Sequence, residues 1–165
     1  MKAIRFLVIL GVIAVLPADA QKAEPDETAR LAEMDAYWTE VSRCVNEGDF
    51  DGYKATFHED AVYVSGTNGE AYPISDALTR WKPDFTTTKS GKIKASVEFK
   101  FSTRLGDGTT AHETGIFHYT SVDADGVENS YYIKFEALLV KQGTWKAMME
   151  YQKSEATEED WNNLK

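Results

Sequence analysis

The stretch Gly48–Ser65, GDFDGYKATFHEDAVYVS, constrains the fold more than any other part of the chain. Gly48 takes up the left-handed conformation that ends a helix at little steric cost, and Asp49 beside it is a preferred N-cap. Phe50, Tyr53 and Phe57 fall at i, i+3 and i+7, one face of a short helix. His58, next to Glu59 and Asp60, is placed at the end of that helix, where a cation meets the last carbonyls. Ala61–Val64 then has the β-branched and aromatic content of a strand.

Upstream, Met34, Tyr37, Trp38, Val41 and Val45 follow a 3-4 spacing that predicts one long helix over 26–47 with a single buried stripe. Downstream, Thr67-Asn68-Gly69 signals a turn, and Ser75 is the expected N-cap of a third helix carrying Leu78, Trp81 and Phe85. Pro83 is expected to kink or end that helix, because its ring removes a donor and clashes one turn back. After Gly91 the period drops to two: Ile93, Ala95, Val97, Phe99 and Phe101 alternate with Lys94, Ser96, Glu98, Lys100 and Ser102. That is a strand with its first set toward the helices and its second toward water. Gly106-Asp107-Gly108, Asp125-Gly126 and Gln142-Gly143 divide the remainder into strands 109–122, 129–141 and 144–153. Thr157 caps a short terminal helix with Trp161 and Leu164. Helices followed by long antiparallel strands define an α+β fold with the helices on one face of the sheet.

Residues 1–20 are set apart from the fold. Lys2 and Arg5 precede an apolar run, Phe6–Leu16, of eleven residues; Pro17 breaks it, and Ala18-Asp19-Ala20 makes an A-x-A cleavage site. The run is too short to span a bilayer and has the flanks of a secretory signal peptide. A flexible leader follows over 21–25, then a domain over 26–153 and a tail or short helix over 154–165. The expected location is secreted or periplasmic. Removing the first twenty residues takes the formal charge from −9 to −10. An acidic exported domain repels phosphate backbones and anionic lipid, so neither nucleic acid nor a membrane surface is an expected partner. Cys44 is the single cysteine, which rules out an intrachain disulfide. Its position on the apolar side of the first helix marks it as a small buried hydrophobe.

The helix–Gly-Asp–helix–Asp-Ala–strand run of Gly48–Ser65, with the Gly143-x-Trp145 hairpin near the end, resembles the nuclear transport factor 2-like superfamily. That superfamily includes ketosteroid isomerase, scytalone dehydratase and the SnoaL-like cyclases. The resemblance covers 26–153 and implies a cone: a curved antiparallel sheet wrapped around the N-terminal helices, with a pocket at its open end. It also implies a homodimer through the outer sheet face. Val41 stands where ketosteroid isomerase has its tyrosine donor, and Ser65 where it has its carboxylate base. A serine without an activating base does not move protons between carbons near neutral pH, so steroid isomerase chemistry is not expected. His112-x5-His118 repeats a histidine spacing of scytalone dehydratase and points to His118 as the catalytic member. The dehydratase's other four catalytic positions fall on Ile93, Asn46, Val45 and Ser65.

The same comparison implies a strand register with Ile93, His118, Tyr132, Lys134, Glu136, Met148 and Glu150 toward the cavity, beside Tyr63 and Ser65. The candidate catalytic groups are then His118, Glu136 and Glu150, with Tyr63, Ser65, Trp81, Tyr132, Lys134 and Met148 as ligand contacts. A carboxyl with a raised pKa beside His118 would serve as an acid–base pair. A structural ion pair, Lys134 with Glu136 or Glu150, accounts for the same residues without chemistry. Tyr37, Trp38 and Trp81 are read first as core. His112 and Glu113 are adjacent on a strand and point to opposite faces, and no metal-ligand spacing or phosphate loop occurs, so no metal or cofactor is expected. Three readings remain open: a module that binds a small, partly apolar molecule, an isomerase-, dehydratase- or cyclase-type enzyme, and a homodimeric interaction module. N-terminal sequencing of exported protein should begin at Gln21; a soluble mature form that keeps residues 1–20 would contradict the cleavage site.

Overall fold

The computed structural model describes residues 25–164. The proposed signal peptide and residues 21–24 lie outside them. Helix α1 (Pro25–Glu47) ends at Gly48, whose φ of 65° is the left-handed value that favours glycine. A Cβ there would also run into the Phe85 carbonyl and the backbone of Lys89, so glycine lets two helices meet closely. Asp49 caps α2 (Phe50–Ala55) by accepting from the Gly52 N–H at 3.0 Å. Phe57 and His58 belong to the following strand, β1 (Phe57–Ser65), so the short helix stops earlier than its apolar spacing predicted. His58 Nδ1 accepts from the Asp60 N–H within that strand and does not cap a helix.

A short strand, β2 (Glu70–Pro73), precedes α3 (Ile74–Lys89). The N-cap is Pro73 in place of Ser75, whose hydroxyl turns to Asp76. Pro83 does not end α3. One lost backbone bond is outweighed by the burial of Ile74, Ala77, Leu78 and Phe85, which lie on both sides of the proline. The strands β3 (Lys94–Gly106), β4 (Thr110–Val122), β5 (Glu128–Gln142) and β6 (Thr144–Glu155) follow, then α4 (Glu158–Asn163) under a Thr157–Asp160 capping box.

The six strands lie in the order β2-β1-β6-β5-β4-β3. Every pair is antiparallel except β1 with β6, which makes the sheet mixed. The helices α1 and α3 pack on one face, the inner one, where Phe135, Leu139 and Met34 are the largest fully buried apolar side chains. Bulges reset the alternation: Ser102 in β3 is an extra residue between Phe101 and Thr103, and in β6 Met148 and Lys153 are extra residues against β5.

The outer face is not uniformly wet. Lys100 points outward as predicted, yet its Nζ donates to the Trp161 and Leu164 carbonyls, each at 3.1 Å, and sits over the Trp161 ring. It anchors α4 on the sheet, where Trp161 is 9% exposed. This helix therefore covers one end of the face assigned to a homodimer. At the other end Val62, Met149, Leu138, His112 and Leu105 form one cross-strand row that α4 leaves open.

Candidate functional site

Helix α1, helix α3 and the inner face of the sheet enclose a cavity of about 360 Å³. Eleven of its 22 lining residues are aromatic. Trp38 forms one wall, with ring centroids 4.5 Å from Phe99 and 5.5 Å from Phe135. The opposite wall is Tyr53, whose ring lies 5.4 Å from Phe57, 4.8 Å from Phe85 and 6.1 Å from Trp81. Tyr119 and Tyr131 face each other across β4 and β5 toward the mouth, and Tyr131 is 52% exposed there. Asp84 and Thr88 bring α3 to the lining, with Val45 from α1 and Ala95 from β3.

Polar groups are few. Tyr37 donates its hydroxyl to the Thr56 carbonyl at 3.2 Å. Glu150 accepts from the Gln152 side-chain amide at 2.7 Å, its single hydrogen bond among the described residues. Glu150 is half-buried and lines the cavity. Burial raises its pKa above the ordinary carboxylate value, opposed only by the Gln152 bond. Burial also raises the phenols around it: Tyr37 and Tyr53 strongly, and Tyr63 up to about 12, with the Glu150 charge adding to each. At the closed end, Glu113 is fully buried, accepting from the Trp38 indole N–H and from Arg104 Nε at 2.7 Å.

This geometry corrects most of the expected register. Phe117 and Tyr119 line the cavity, so His118 between them points outward; Ile133, Phe135 and Ala137 line it, so Tyr132, Lys134 and Glu136 do too. His118 stacks on Tyr132 with centroids 4.1 Å apart, shares a hydrogen bond with Ser130 Oγ at 2.8 Å and faces Trp161 of α4. Lys134 pairs with Asp160 of α4 at 3.3 Å, and with neither Glu136 nor Glu150. Glu136 lies between Lys153 at 2.6 Å and His112 at 3.3 Å. The hydrogen bond from Lys153 holds its carboxyl below the ordinary range, the reverse of an acid kept protonated. Met148 occupies the β6 bulge and does not line the cavity.

Of the expected site residues, Glu150 and Trp81 line the cavity. Tyr63 stands directly behind Trp81, rings 5.4 Å apart, and Ser65 is buried with its hydroxyl turned to Thr67. Ile93 precedes β3 and is replaced at the mouth by Ala95. Sequence reasoning missed Tyr53, Tyr119, Tyr131 and Asp84, and read Tyr37 and Trp38 as core when they are both core and wall. The β3 alternation carried a usable signal: Phe99 pairs with Phe117, and Phe117 with Ile133, so extending its face across the sheet marks the lining.

No protein-family model matches the chain, and no curated protein does. Solved structures do. ActVI-ORFA from Streptomyces coelicolor is 20% identical with a TM-score of 0.61, covering 74% of this chain and 95% of its own. Rv3472 of Mycobacterium tuberculosis, a protein of unknown function, is 16% identical with a TM-score of 0.63, over 83% of this chain and 78% of its own. An NTF-2-like protein of Shewanella oneidensis is 16% identical with a TM-score of 0.57, over 74% of this chain and 97% of its own. The fold is nuclear transport factor 2-like. At these identities the likeness to nuclear transport factor 2-like proteins extends to the backbone, and the site rests on this chain's own residues. Among the described residues no three metal-ligating side chains cluster, and no helix is long and apolar enough to cross a membrane.

The raised pKa of Glu150 has a stability consequence of definite sign. Between the unfolded carboxylate value and the raised folded value, the folded state binds more protons than the unfolded one, so stability falls as pH rises through that window. Below it both states are protonated. Glu150→Gln should therefore leave the urea midpoint unchanged below the ordinary carboxylate range and raise it near neutral pH. Urea titrations of both forms across that range test this; parallel pH profiles would contradict it.

Proposed function

We propose that this domain, exported after removal of residues 1–20, binds one small, largely apolar molecule in the cavity bounded by Trp38, Tyr53 and Glu150. The observation that carries the reading is the pairing of aromatic walls with few polar groups, the Glu150 carboxyl among them, in a preformed cavity. Concave, mostly apolar sites with a few convergent polar groups are what small ligands occupy. A cavity of about 360 Å³ lies at the lower end of the range for such sites, which suits a molecule of one or two fused rings.

An acid–base reaction is less well supported. His118 and Glu136, the partners expected for it, lie on the other side of the sheet from Glu150, where no common substrate reaches all three. Glu150 alone is left to move a proton, with Tyr37 and Tyr53 as the nearest hydroxyl groups that respond to its charge.

N-Phenyl-1-naphthylamine, neutral and of suitable size, should bind the mature domain with one-to-one stoichiometry, its emission rising as it leaves water. Ala95→Trp, which fills the mouth from β3, should weaken that binding at least tenfold without lowering the urea midpoint. No emission change in the wild type, or equal binding by Ala95→Trp, would contradict the cavity as the site.

A further inference from the structure

Among the described residues no lysine, arginine or histidine lines the cavity, whereas two carboxyls, Glu150 and Asp84, do. Glu150 has a single amide donor from Gln152 and no cation within ion-pair distance among the described residues. It differs in this from Glu113, fully buried, which has Arg104, and from Glu136, which has Lys153. A buried carboxylate is ordinarily paired, because its desolvation is uncompensated otherwise. Glu150 is thus a half-buried acceptor on the lining of a cavity that, among the described residues, supplies it no counter-ion.

The walls carry the same sign. Trp38, Tyr53 and Trp81 line the space with aromatic rings, whose π-faces attract an organic cation and repel an anion. Asp84 adds a carboxylate on the α3 side of the lining, close enough to Tyr119 for its charge to raise that phenol further. The domain around them is acidic overall, −9 for the whole chain.

We infer that the ligand is an organic cation, an amine or quaternary ammonium on an apolar body, held with its charge against Glu150 and its body between the aromatic walls. The inference rests on the cavity being the binding site and adds the charge class of the occupant. A neutral ligand would leave Glu150 with its one amide bond, and an anion would meet two carboxyls and no cation among the described lining residues. An ammonium satisfies the carboxylate and the rings at once, and the apolar walls keep water from screening the contact. Asp84 would meet the cation on its way in and raise the association rate at low salt.

Three probes of similar size separate charge from shape: benzyltrimethylammonium, its uncharged carbon isostere neopentylbenzene, and phenylacetate. Each competes with N-phenyl-1-naphthylamine on the mature domain. In the wild type, benzyltrimethylammonium should compete at least tenfold better than phenylacetate. In Glu150→Gln, the affinity ratio of benzyltrimethylammonium to neopentylbenzene should fall at least tenfold, while neopentylbenzene stays within about twofold of its wild-type affinity, which shows the cavity intact. Equal competition by the ammonium and the carboxylate would overturn the inference, as would an unchanged ammonium-to-isostere ratio in Glu150→Gln. In both cases N-phenyl-1-naphthylamine still binds and the cavity reading survives. If N-phenyl-1-naphthylamine itself gives no signal, the cavity reading and the inference fall together.

Discussion

Glu113 lies at the closed end of the fold with no exposed surface, and its two carboxylate oxygens tie the first helix to the sheet. One side of the carboxylate takes the Trp38 indole N–H from α1, and the other takes the guanidinium of Arg104 from the neighbouring strand. Arg104 in turn reaches back to Asp35 on α1. Buried ion pairs of this kind add little stability over an apolar replacement, but removing one partner costs about 3–5 kcal/mol, because a charge is then stranded. The network therefore specifies geometry more than it adds strength. It fixes where Trp38 stands, and Trp38 is the wall against which Phe99, Phe101 and Phe135 pack.

From that fixed wall the rest of the inner face follows. Between β3, β4 and β5 the aromatic rings of Phe99, Phe117 and Phe135 meet edge to face or tilted, and all three line the cavity. Gly48 lets α3 approach α1 closely, which brings Trp81 and Phe85 across from the sheet. Two acids in one small domain then have opposite surroundings. Glu113 is neutralised by Arg104 and holds structure together; Glu150 has an amide and a cavity. A charge class for the ligand follows from that contrast.

The element order, the Gly48-Asp49 junction, the hairpin turns and the Thr157 cap were legible because each rests on local chemistry: a positive φ, a side-chain acceptor, a period of two. Facing direction was harder. In β5 the sequence Ile133-Lys134-Phe135-Glu136 alternates plainly, and its own pattern puts Lys134 and Glu136 outside. Carrying a register across from distant enzymes overrode that pattern, and a one-residue slip turns every side chain to the other face. Glu150 reaches the cavity lining because the Met148 bulge shifts β6 by one residue, which a simple parity count from Trp145 and Ala147 does not allow. Such a bulge leaves no mark in composition. The role of Lys100 was equally hidden, since its partners are carbonyls at the far end of the chain.

Glu150 is a half-buried carboxyl with no counter-ion among the described residues, on the lining of a cavity that a cation would complete. Carbon-13 NMR of the glutamate side-chain carboxyls reads this directly, with the Glu150 signal assigned by its loss in Glu150→Gln. The account predicts that this signal titrates above the ordinary carboxylate range in the free domain and moves down in pH when benzyltrimethylammonium is added, while Glu136 stays put below that range. A Glu150 signal that titrates with the surface glutamates and ignores the ammonium would contradict it.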